Sequence, residues 1–151
     1  MNAPITDPSR LLTPSRLRAY RRCPREHYLA YELRYRPILE AEALRFGVLM
    51  HRALEAWWKA PIHRLEAAVA ALAEAEGTDP FDIAKARALL KGYDARWGEA
   101  PLEVLAVEAE FTAPLVNPQT GALSRTWTLA GKIDAIVRDL RDGRLLIVEH
   151  K

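Results

Sequence analysis

The segment Arg144–Lys151, "RLLIVEHK", decides how the rest of the chain reads. A run of apolar, strand-forming residues stops at Glu149, His150 and Lys151. Side chains two apart on a strand share a face, so Glu149 and Lys151 project together and His150 points the other way. Asp142-Gly143, just before, is a hairpin-turn signal. Working backwards, residues 123–140, "LSRTWTLAGKIDAIVRDL", read as a second strand, and "NPQTG" (117–121) as a turn. Residues 102–116, "LEVLAVEAEFTAPLV", read as a strand before that turn. Three strands in succession predict an antiparallel meander. With the turn centred on Asp142-Gly143, Arg141 opposes Arg144, Asp134 faces Lys151 and Ile136 faces Glu149. A bulge near the turn would shift this by one position. In the simple register Asp134, Glu149 and Lys151 share one patch.

The chain before Pro101 reads as helical. Thr13 with Pro14, or Ser15 instead, caps a first helix, and Pro24 divides it into two short helices meeting near Cys23. "EAEALRFGVLMHRALEAWWKA" (40–60) is amphipathic, with Leu44, Val48, His51, Leu54 and Trp58 along one face and Pro61 as its stop. An Ala-rich helix runs to Gly77, and another starts at Asp79-Pro80. Residues 1–10 read as a flexible tail and 11–151 as a single domain.

Composition narrows the class. Half of the 151 residues are hydrophobic, enough for a core. No apolar run reaches membrane-spanning length, and "MNAPITDPSR" lacks the features of a signal peptide. The single cysteine, Cys23, excludes an internal disulfide framework and fits a cytoplasmic setting. Arginine supplies 17 of the 22 basic residues, the type suited to bidentate phosphate contacts. Residues 1–64 carry 12 Lys/Arg against 6 Asp/Glu, and residues 65–151 carry 10 against 14, so a basic first part precedes a mildly acidic one. That asymmetry suits a polyanion path beside an acidic site, and equally suits solvated helix faces.

The patch at the strand ends has a definite chemistry. Two carboxylates can hold a hard divalent cation such as Mg²⁺ or Mn²⁺. A lysine beside them can orient or deprotonate a water, or neutralise charge on a phosphate. An acid-x-Lys pair at a strand end is also an ordinary ion pair.

Five segments occur in order: "TPSRLRAYRRCPREHYLAY", "RFGVLMHRALEAWW", "VLAVEAEF", "GKIDAIV" and "LLIVEHK". Together they resemble the PD-(D/E)xK nuclease superfamily, in its RecB-like exonuclease branch, which includes CRISPR-associated exonucleases and the nuclease domains of recombination helicase–nucleases. The resemblance implies an α/β, restriction-endonuclease-like core, with N-terminal helices followed by the meander and the C-terminal part of the fold missing after Lys151. It implies a metal site of His51 (in Gly47-x-x-x-His51), Asp134 (after Gly131), Glu149 and the backbone carbonyl of His150. Lys151 would be the catalytic lysine and Glu108 the assisting acid, with Glu110 as runner-up. His51 and Glu108 also have plain readings, as a structural histidine and a solvated strand residue. Arg16, Arg18, Tyr20, Arg21, Arg22 and Arg25 would bind DNA, as would Tyr28 by stacking. Relatives carry Cys-Pro within a four-cysteine iron–sulfur site; with Cys23 alone, no such cluster is expected in this chain. The implied activity is metal-dependent hydrolysis of DNA phosphodiesters in repair, recombination or phage- or CRISPR-type processing, with a helicase or another nuclease-complex subunit as a possible partner. The alternative is a catalytically incomplete nucleic-acid-binding module on the same fold.

Overall fold

Ala135 and Val137 have no exposed surface, and they set which way the central strand faces. The structure is a computed structural model that describes residues 8–38, 41–75 and 78–150. It is a mixed α/β chain, consistent with a restriction-endonuclease-like fold, with five α-helices and a four-stranded sheet among the described residues. Two compact units divide it: Met1–Ile38 with Glu110–Lys132, and Leu39–Ala109 with Ile133–Lys151.

The first unit holds β1 (Leu11–Leu12), α1 (Pro14–Arg22) and α2 (Pro24–His27). Thr13 caps α1: its Oγ1 accepts the Arg16 N–H at 3.2 Å, with Pro14 at the first helical position. The helices break at Cys23, whose extended backbone and sulfur cap α2. A π-helical turn, Tyr28–Glu32, follows directly. Residues 8–10 of the expected loose tail form a 3-10 turn; residues 1–7 lie outside the described residues.

The Arg16 guanidinium organises this unit. It is only 4 % exposed. It donates to the Ser9 carbonyl at 2.7 Å, to Glu32 Oε1 at 2.6 Å and to His27 Nε2 at 3.1 Å. Its Cζ lies over the Trp127 ring, 4.6 Å from the centroid. This overturns the expectation that Arg16 contacts phosphates, because its donors are spent inside the protein.

The second unit contains α3 (Glu42–Lys59), α4 (Arg64–Ala73), α5 (Pro80–Trp97) and β4 (Leu145–Val148). Its core joins Leu49, Ala53, Trp57 and Trp58 of α3 to Ala68, Leu72, Ala86, Leu90, Ala135 and Val137. Trp57 is wholly buried, and its indole N–H donates to Asp94 Oδ1 at 2.8 Å. Removing that side chain would cost about 3–5 kcal/mol. The expected face of α3 holds at Leu54 and Trp58, which are buried, and fails toward the start of the helix, where Leu44 and Val48 are 56 % and 60 % exposed. The two adjacent tryptophans rotate the apolar arc onto Leu49, Ala53 and Trp57, which leaves His51 on its solvent side. The Ala-rich helix ends at Ala73, and Gly77 lies outside the described residues.

Strands β2 (Leu102–Val116) and β3 (Leu123–Asp139) each contribute to both units. The sheet order is β1-β3-β2, with β4 also paired to β3. β1, too short to show a period in the sequence, pairs parallel to β3 at Leu11↔Thr128. β4 pairs antiparallel at Ala135↔Val148, Ile136↔Ile147 and Val137↔Leu146. The register is therefore two residues away from the expected one. The connection is longer than a two-residue turn because Asp139 closes it: the Asp139 N–H donates to the Arg144 carbonyl at 2.9 Å, and its Oδ1 accepts the Arg141 N–H at 2.9 Å. Gly143, with φ of +75°, completes the bend.

The side chain of Arg141, hydrogen-bonded to Asp139, holds that carboxyl at a pKa of about 2. The folded value lies below the unfolded one, so the contribution is complete above about pH 4 and disappears as pH falls toward 2. Asp139→Asn should flatten the pH dependence of the urea midpoint over that window; an unchanged slope would assign the acid lability to other groups. Arg16→Ala should lower stability by about 2–4 kcal/mol in the same assay at neutral pH.

Candidate metal centre

Three elements of the second unit converge on one point. His51 comes from the solvent side of α3, Glu108 from β2 and Asp134 from β3. One ligand atom from each lies within 4.8 Å of the other two. The donor set is two carboxylates and an imidazole at a spacing that a single divalent ion can bridge, so these residues fit the cation that the sequence implies. His51 Nδ1 lies 3.5 Å from Asp134 Oδ1, with the imidazole 45 % exposed and the carboxylate 13 %. The site is thus open on the histidine side and closed on the aspartate side.

Each position has a local cause. Ala135 and Val137 face the core, so Asp134 falls on the opposite face of β3. Glu108 has a φ of +54°, left-handed backbone for a non-glycine residue inside a strand. Such a conformation costs about 1–3 kcal/mol and clusters at functional sites. Just before it the alternation of β2 is already broken: Leu102 and Val104 pack toward the core, and so does Val107, three residues after Val104 rather than two or four. Glu110 is exposed and is not in the cluster.

The end of β4 adds a backbone contact. The His150 N–H donates to Asp134 Oδ2 at 2.7 Å. Its imidazole turns inward, where Nε2 accepts the Trp58 indole N–H at 3.2 Å. That N–H also lies 3.1 Å from Tyr93 Oη. The neutral ring so held carries its proton on Nδ1. Burial pushes the His150 pKa down, against a smaller opposing pull from Asp134. Burial likewise pushes the Tyr93 hydroxyl up to about 12. The Trp58–His150–Asp134 chain gives no signal in the sequence, where His150 reads only as the residue between Glu149 and Lys151.

The other expected residues are placed as follows. Continuing the β4 register by one step sets Glu149 against Asp134, but Glu149 is exposed and is not one of the three clustered groups. Lys151 lies outside the described residues. Gly131 is explained by packing, since a Cβ there would sit 2.7 Å from the Phe111 ring. Gly47, one turn before His51, has open space where a Cβ would be. In the first unit, Arg18, Arg21, Arg22 and Arg25 are exposed, with Arg22 paired to Glu26 and Arg25 over the Tyr28 ring at 5.6 Å. Tyr20 is exposed and meets His27 edge-on. Cys23 is half-buried, and its sulfur accepts the Glu26 N–H at 3.5 Å.

No helix among the described residues is long and apolar enough to cross a membrane. No curated protein matches the chain. A family model, that of the PD-(D/E)XK nuclease superfamily, matches residues 11–151. The match takes in the helices, the sheet and all three clustered residues, and the chain belongs to the PD-(D/E)XK nuclease superfamily.

Proposed function

We propose that the chain is a metal-dependent deoxyribonuclease, an exonuclease of the RecB-like branch acting in DNA repair, recombination or CRISPR-type processing. The observation that carries this reading is the convergence of His51, Glu108 and Asp134 within 4.8 Å. In this reading those three and Glu149 hold Mg²⁺ or Mn²⁺, joined by the His150 carbonyl. When bound, such a cation lowers the pKa of a water and offsets charge on a phosphoryl oxygen.

The protein's own groups do the rest. Asp134 is aimed by the His150 N–H, so its carboxylate needs little reorganisation to serve as a ligand. Lys151 orients or deprotonates the attacking water and offsets charge on the phosphate. Arg18, Arg21, Arg22, Arg25, Tyr20 and Tyr28 receive the DNA, the arginines at phosphates and the tyrosines against bases. A helicase or another nuclease subunit would supply the substrate end, in the cytoplasm.

The test is cleavage of labelled single- and double-stranded DNA with Mg²⁺ or Mn²⁺. Asp134→Ala, His51→Ala and Lys151→Ala should each reduce the rate at least about 100-fold; variants indistinguishable from wild type would leave the chain a binding module. Trp58→Phe keeps an aromatic but smaller side chain and removes the N–H that fixes His150. It should weaken Mn²⁺ binding by about tenfold in calorimetry, as loss of a supporting contact does. Unchanged affinity would make the Trp58–His150 bond purely structural.

A further inference from the structure

Beside the candidate metal centre, the α3–α4 connection and β2 enclose a groove of about 460 Å³. Trp58, Lys59, Pro61, Arg64, Leu105 and Val107 are among its lining residues. The lining contains two cations and no carboxylate. Lys59 meets Glu55 in an exposed helical pair at 2.5 Å, of the kind that a phosphate readily replaces. Arg64 is more committed. Its guanidinium lies 4.7 Å from the Trp57 ring centroid, and its Nε donates to the Ala60 carbonyl at 3.3 Å. These contacts fix the plane of the fork and use one of its five N–H donors. Arg64 has no carboxylate partner among the described residues. A positioned guanidinium with donors to spare suits a phosphate.

Two residues of the lining connect to the centre. Trp58, in its wall, is the residue whose N–H holds His150. Val107, in the opposite wall, is bonded directly to Glu108. An exposed Leu105 and Pro61 offer apolar surface between the cations.

We propose that this groove carries the backbone of a single DNA strand whose reacting phosphodiester lies at the candidate metal centre, with Arg64 and Lys59 each taking a phosphate. The inference rests on the nuclease reading and adds to it a strand path outside the basic helices of the first unit. An apolar peptide would also meet Leu105 and Pro61, but it would leave Arg64 without a counter-charge.

The test is fluorescence anisotropy of labelled oligothymidylate binding to the full chain in EDTA, over 50–200 mM salt. Arg64→Gln should weaken binding by about three- to tenfold and reduce the salt slope by about 0.7, the value for one single-strand phosphate. Leu105→Glu changes an exposed residue, so it keeps the fold and places a repelling charge in the groove; it should weaken binding as well. Arg87→Gln, on α5 and not among the groove's lining residues, should bind as wild type does. If Arg64→Gln and Leu105→Glu both match wild type in affinity and slope, or if wild type does not bind, the proposal is wrong. No metal is present, so a chain that binds through Arg64 but never cleaves would overturn the nuclease reading alone.

Discussion

The complete burial of Ala135 and Val137 is the constraint from which the second unit follows. A strand offers only two faces, and these two side chains commit one of them to the core. Asp134 is thereby turned away from the core and toward His51 and Glu108. Asp139, on the same face as Ala135 and Val137, is buried at the strand end, where it closes the connection to β4. That connection sets the β4 register, and the register brings the His150 N–H onto Asp134. One alternating strand thus sets the core, the turn and the aspartate of the candidate centre.

Much of the geometry around that centre is unfavourable for folding alone. Glu108 holds a left-handed backbone that a non-glycine residue avoids. Two carboxylates sit close to each other and to an imidazole. Buried or half-buried carboxylates at such spacing are compatible when a positive charge lies among them. The same unit offsets these costs with a dense aromatic and aliphatic core around Trp57, Leu72 and Leu90. The core lies among the helices, while Glu108 carries left-handed backbone inside a strand at the site; Arg34 and His63, outside the strands, share that conformation.

The pattern of residues was a good guide where a short-range rule controls the outcome. Parity along β3 places Asp134 away from the core, and the Thr13-Pro14 and Asp79-Pro80 caps start helices where their chemistry requires. It failed where a side chain overrides the local rule. Asp142-Gly143 signals a two-residue turn, but the Asp139 carboxylate captures the Arg141 N–H and lengthens the connection, moving the register by two. Arg16 lies in a run of exposed arginines and nothing near it in the chain marks it as buried; its partner Trp127 is more than a hundred residues away. On α3 the expected face was right at Leu54 and Trp58 but not at Leu44 and Val48, because Trp57 and Trp58 outweigh those two in apolar area. The positive φ of Glu108 has no signature in a strand sequence at all.

The Arg16 hub also imposes an order of events on synthesis. Its unit is assembled from two stretches of chain, and Leu11 pairs with Thr128. The segment that supplies Trp127 is made about 90 residues after Ile38, which at ribosomal speed is roughly 5–20 s later. During that interval the second unit is being translated while the first 38 residues lack the ring and the strand that complete them. Helices α1 and α2 are therefore made before the segment that completes their unit. This long-range closure slows folding and makes the nascent chain depend on reaching β3 before its amino-terminal arginines and tyrosines find other partners.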